Sequence, residues 1–77
     1  MLKFTKIDSK DPFKNSEYRA HGNVETVFEI HKDSGINGWY CVVWQYGYQM
    51  RGIGPVKTMR ECRAYANLQN SYLDGIE

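Results

Sequence analysis

The 77-residue chain has too little cysteine for a disulfide framework. It holds two, Cys41 and Cys62, where a stapled secreted domain of this size carries about four or more. It lacks a dominant charge: ten basic residues against nine acidic leave a net +1. A dedicated duplex-DNA binder shows a clear basic excess for neutralising phosphates, and this composition does not. It lacks long apolar runs, none approaching the ~20 residues that span a bilayer. Met1 to Lys6 contains no apolar leader core, so no signal peptide is expected. The setting that follows is the cytoplasm, with both cysteines as thiols. The two histidines, His21 and His31, and the two cysteines are the only soft metal ligands. Their spacing has none of the close pairs that zinc sites use, so no metal or cofactor is expected.

What the chain does have is aromatic surface: six Tyr, three Phe and two Trp make 14% of the residues. Such side chains bring large contact area at low entropic cost and are favoured in cores and interfaces. The length fits one domain, residues 1–77. A domain of this size buries only about 60% of the surface its unfolded chain exposes, so pairing into a homodimer would add stability.

The organising stretch runs from Gly38 to Leu73. Trp39 to Tyr46 is apolar or aromatic on both faces, with Trp39, Cys41, Val43 and Gln45 on one and Tyr40, Val42, Trp44 and Tyr46 on the other. A strand apolar on both sides sits inside a sheet, covered on both sides. The chain turns at Gly47, returns through Gln49 to Ile53, and breaks at Gly54-Pro55. The glycines of Gly52-Ile53-Gly54 lack the context of a phosphate-binding loop and read as a bulge or corner. Thr58-Met59-Arg60-Glu61 matches a capping box opening a helix. Met59, Cys62, Tyr65, Ala66, Gln69, Tyr72 and Leu73 form its apolar stripe, and Arg60, Arg63, Asn67 and Asn70 lie off it. Gly75 marks its end near Asp74.

Upstream, residues 2–7 alternate weakly and suit a short edge strand guarded by lysines. Asp11-Pro12 is a helix-start signal and Gly22 a matching stop, yet Asn15 and Ser16 are poor interior helix formers, leaving helix and loop both open for 12–20. Val24 to Lys32 alternates as a half-buried strand, Val24, Thr26, Phe28 and Ile30 on one face and Glu25, Val27, Glu29 and His31 on the other. Residues 33–38 read as a hairpin loop. The fold class expected is α+β: an antiparallel sheet of three or four strands with a C-terminal helix on one face.

No catalytic constellation stands out. Each cysteine lies on an apolar stripe and reads as a small buried hydrophobe. Glu25 and Glu29 share a strand face but read as a solvated one, and both histidines read as solvent-facing. The expectation is a protein without enzymatic activity.

Two resemblances bear on function. Gly54 to Ala66, GPVKTMRECRAYA, resembles the strand-to-helix junction of AP2-type and integrase N-terminal DNA-binding domains, three-stranded sheets backed by one helix. That resemblance implies sheet residues reading the major groove. A single-strand variant would stack bases on Tyr40, Trp44, Tyr46 and Tyr48, with Arg51, Lys57 and Arg60 nearby. The arginine-rich first strand of those domains is missing, and two glutamates stand in Val24 to Lys32 instead. The single compact domain, with its G-P-x-x-T-x-x-E corner, also looks like the small accessory proteins of bacteriophages and other mobile elements, anti-CRISPR proteins among them. That resemblance implies a stoichiometric inhibitor that binds a host protein complex. The residues expected to carry partner binding are Tyr40, Trp44, Tyr46, Tyr48 and Arg51, with the 33–38 loop beside them, because aromatics and Arg dominate interface hot spots.

Overall fold

In the computed structural model, five antiparallel strands run in sequence order across one sheet, and a helix lies against one face. Residues 2–7, 14–23, 25–33 and 38–74 are described, the side chains at 14–16, 33, 73 and 74 excepted. The elements are β1 (Thr5–Ile7), β2 (Lys14–His21), β3 (Thr26–Asp33), β4 (Trp39–Gln45), β5 (Tyr48–Val56) and α1 (Met59–Asp74). The α+β architecture expected from the sequence is present, with five strands rather than three or four.

The additional strand is β2, where helix and loop had both been open. Tyr18 and Ala20 turn toward the core while Glu17, Arg19 and His21 take the other face. That period of two places Glu17 opposite His31 and Arg19 opposite Glu29 on β3. Cross-strand pairing of opposite charges and burial of Ala20 outweigh the local helix signal. Asp11-Pro12, the loop tip at 34–37, Val24 and Gly75 lie outside the described residues.

Gly22 follows β2, and its N–H donates to Thr26 O at 2.8 Å. It is not a helix stop. A Cβ there would sit 2.5 Å from the Phe28 ring and 2.6 Å from Asn70 Oδ1, so only glycine lets the chain pass between sheet and helix.

β4 is an interior strand, as its two-sided apolar character suggests, but the expected cover on both sides is not found: among the described residues only α1 packs on the sheet, on one face. The helix takes the Cys41 and Val43 face, lying mostly over β4 with β3 and β5 to either side. The core is Phe28, Ile30, Cys41, Val43, Cys62 and Ala66, with Leu2, Phe4, Tyr18, Trp39, Ile53, Val56, Met59 and Tyr65 packed around it. The turn between β4 and β5 has positive φ at both central residues, Tyr46 (52°) and Gly47 (83°), as a two-residue hairpin of the favoured twist demands. Gly54-Pro55 does not end β5; the strand continues to Val56 through a bulge opposite Trp39 and Cys41.

The helix starts as its sequence predicts. The Glu61 N–H donates to Thr58 Oγ1 at 3.3 Å, while the Glu61 carboxylate accepts the Lys57 N–H, one residue earlier than the usual box, at 3.2 Å. Asn67 and Asn70, off the apolar stripe, have structural work: Asn67 Oδ1 accepts the Leu2 N–H and Asn70 Oδ1 the Asn23 N–H, both at 2.9 Å. Each latches a strand-flanking segment to the helix, closing backbone donors that would otherwise lack partners.

Candidate functional site

The five residues expected to form one patch separate into two surfaces. Tyr40 and Trp44 point to the sheet face opposite the helix, since their partners in register are His31 and Val27. Arg51 pairs with Val43 and Tyr48 with Gln45, on the helix side. Tyr46 is at the hairpin tip, 64% exposed. The separation comes from β5: the two-residue turn pairs Tyr48 with Gln45, on the other face from Trp44, and the bulge at Met50 brings Arg51 opposite Val43 on that same face.

The open face is more polar than its aromatics promise. Glu17 and Glu29 lie near its centre, each only 5% exposed. The expectation that Glu25 and Glu29 form a solvated face therefore holds for Glu25, exposed in the turn before β3, and fails for Glu29. Interior strands surround Glu29 with the side chains of both neighbours, which exclude water from it. Arg19 reaches Glu17 at 3.5 Å, and His31 Nδ1 lies 3.1 Å from Glu29 Oε1 without hydrogen-bond geometry. His31 is not solvent-facing: its imidazole stacks on Tyr40, ring centroids 5.5 Å apart and 17° from parallel. Trp44 lines a shallow depression with Arg19, Glu25, Val27, Glu29 and Gly47, and its buried Nε1 has no hydrogen-bond partner.

The apolar surface lies elsewhere. The large apolar side chains that stand out are Tyr46, Tyr48, Met50, Leu68 and Tyr72, between 52% and 74% exposed. β5 carries Tyr48 and Met50 beside the turn, and Leu68 and Tyr72 are one turn apart on the helix. Met50 from the strand and Tyr72 from the helix meet at a cleft of about 120 Å³ between β5 and α1, floored by Thr26 and Val43 and walled also by Gln45, Arg51 and Gln69. Met50 is the extra residue of a bulge: Val43 pairs with Arg51 and Trp44 with Gln49, which turns Met50 out toward the cleft. Arg51 Nη1 donates to Gln69 Oε1 at 2.8 Å, fixing the guanidinium at the rim. Sequence reasoning found Tyr48 and Arg51 but missed Met50, Leu68 and Tyr72. Tyr72 was read as part of the apolar stripe; it is 60% exposed and borders the cleft with Met50 and Arg51.

The nucleophiles are quiet. Burial pushes the Cys41 thiol up to about 12, helped by the nearby Cys62 and the charge of Glu29. Burial and Glu61 push Cys62 up to about 11. Both are uncharged thiols at neutral pH, the unreactive form. Burial also raises the Tyr65 phenol, against the lowering pull of Arg51. Among the described residues no three His, Cys, Asp or Glu side chains are grouped to hold a metal ion, and no helix is long and apolar enough to cross a membrane.

Fold and surface together define a small α+β domain with a cleft between β5 and α1 that Met50 and Tyr72 border. Comparison of the chain with protein-family models, with curated proteins and with solved structures returned no match.

Proposed function

We propose that this chain is a non-catalytic binding protein that engages a protein partner through the end of the molecule formed by the β4–β5 turn and the C-terminal half of α1. The observation that carries the reading is the cleft between β5 and α1, where Met50 and Tyr72, each more than half exposed, stand beside Arg51, while Tyr48 on β5 and Leu68 on α1 are also more than half exposed. Exposing large apolar groups together is unfavourable in water unless something covers them. Aromatic, Met and Arg side chains are also the residue types enriched where proteins bind one another. The use we assign to the surface is inhibition by occlusion: a phage-type protein acting in the host cytoplasm that blocks a defence complex by stoichiometric binding. Binding chemistry without an activated nucleophile supports that use.

A nucleic-acid role draws less from the same surfaces. On the open face Glu17, Glu25 and Glu29 offset Arg19, His21 and His31, and phosphate contact needs unopposed cations.

The test is a pull-down from bacterial lysate with tagged protein, with and without nuclease, repeated with Tyr48→Ala and Tyr72→Ala. A stoichiometric protein partner that survives nuclease and is lost with both variants is expected, while circular dichroism shows the variants folded. Capture that vanishes with nuclease, or that neither substitution weakens, would overturn the reading.

A further inference from the structure

The cleft between β5 and α1 has a chemistry narrower than a general apolar patch. Its floor is Thr26, 2% exposed, and Val43, 5% exposed, so a guest that enters meets the edge of the core itself. Its volume, about 120 Å³, suits one branched aliphatic side chain or one small ring. Met50 and Tyr72 stand at its mouth, 57% and 60% exposed. Met is unbranched and polarizable and adjusts to the shape of a guest, and Tyr offers a rigid apolar wall.

Among the described residues the one charged side chain in the lining is Arg51, and no carboxylate lines the cleft. The guanidinium is held in place by Gln69 Oε1 through Nη1. A guanidinium has five N–H donors in a planar fork, so this bond leaves donors that match a carboxylate. Fixing the fork beforehand removes part of the ordering cost of binding. The depression on the opposite face is different, because there Glu25 and Glu29 accompany Arg19. Charge thus separates the two concave surfaces: an acidic guest is opposed at one and unopposed at the other.

Resting on the protein-binding reading above, we propose that the cleft takes a single apolar side chain from a partner segment that also presents a carboxylate to Arg51. The partner sequence is then an acidic-hydrophobic one, a Leu or Phe with Asp or Glu within two residues. Arg51 sets the preference for the acidic flank, and the Met50–Tyr72 mouth admits the anchor.

The experiment is an amide chemical-shift titration of the isotope-labelled protein with synthetic octapeptides. Each peptide has a central Leu or Phe, flanked by Glu, by Lys or by Ser. Glu-flanked peptides are expected to shift the amides of Gln45, Met50, Arg51, Gln69 and Tyr72, and to bind about tenfold more tightly than Lys-flanked ones, the scale of one charge-assisted hydrogen bond. Arg51→Glu should reverse the order of Glu- and Lys-flanked peptides with the amide spectrum otherwise preserved. Replacing the central residue by Ser should abolish the shifts. Equal affinity for Glu and Lys flanks would overturn the inference while leaving the surface as a protein-binding one. Shifts that map to Trp44 and Arg19, or no shifts from any peptide, would overturn it too. The broader reading is judged separately by the pull-down with Tyr48→Ala and Tyr72→Ala.

Discussion

Two sets of apolar side chains share one helix but draw on different strands, β3 and β4 for one and β5 with its turn for the other, and they meet opposite fates. The buried set is Phe28, Ile30, Cys41, Val43, Cys62 and Ala66, none above 5% exposed. The exposed set is Tyr46, Tyr48, Met50, Leu68 and Tyr72, none below 52%. Apart from Phe28, the buried residues are small or medium in size. α1 presents Cys62 and Ala66 to β4, both 0% exposed, and side chains that short let the helix sit close to the sheet. A close helix leaves no room for large side chains beneath it, so those at its margin project outward. The difference teaches that the exposed set lies where the packing geometry has no place for it, with Met50 and Tyr72 at the cleft between β5 and α1.

The sharpest way to break the contrast is inside the buried set. Phe28→Ala removes a fully buried ring at the sheet centre and should cost about 3–5 kcal/mol. Against a stability of roughly 5–15 kcal/mol for a native domain, a urea melt should show a large fall in midpoint. Ala66→Leu tests the close-packing argument directly: overpacking should cost about 1–3 kcal/mol. A neutral result would mean that the helix can rise off the sheet. Asn70→Ala should cost about 1 kcal/mol by orphaning the Asn23 N–H, with faster hydrogen exchange at that amide. Tyr48→Ala and Tyr72→Ala should move stability by no more than about 0.5 kcal/mol, as exposed positions do, while removing partner binding.

Alkaline pH probes the buried set without mutation. The two thiols ionise in the unfolded chain near 9.0 and in the folded one near 12 for Cys41 and 11 for Cys62. Above pH 9 the folded state therefore holds protons that the unfolded state has released. Stability is fully present below that pH and falls as pH rises toward the folded values. Denaturant midpoints measured from pH 8 to 11 should decline, and Cys41→Ala should flatten the decline. Thiol-specific reagents at neutral pH should react only as fast as the chain opens.

How far the sequence alone reaches differs by element. The alternation of Thr26, Phe28 and Ile30 marked β3 and its buried face, and Thr58 with Glu61 marked the start of α1, because both signals are local. β2 was not legible: Asp11-Pro12 and Gly22 frame a helix, and what makes 14–21 a strand is the pairing of Glu17 and Arg19 with residues on β3 that lie 14 and 10 positions away. The burial of Glu29 and His31 was missed for the same reason, since strand alternation says which face a residue takes but not how its neighbours cover it. The candidate site was half legible. Tyr48 and Arg51 were found by composition, and Met50 and Tyr72 were not, because a bulge and a helix margin expose them.

The sequence by itself determined the α+β class, the two-sided apolar strand that opens at Trp39, the turn at Gly47 and the helix cap. Each depends on residues within one turn or one strand. Only the tertiary structure decided which face of β4 the helix covers, that Tyr40 and Trp44 part company with Tyr48 and Arg51, and that Gln69 and Tyr72 come round to complete a cleft with Met50. Those outcomes rest on contacts between β5 and a helix some twenty residues further on, and no local preference encodes the distance at which two packed elements settle.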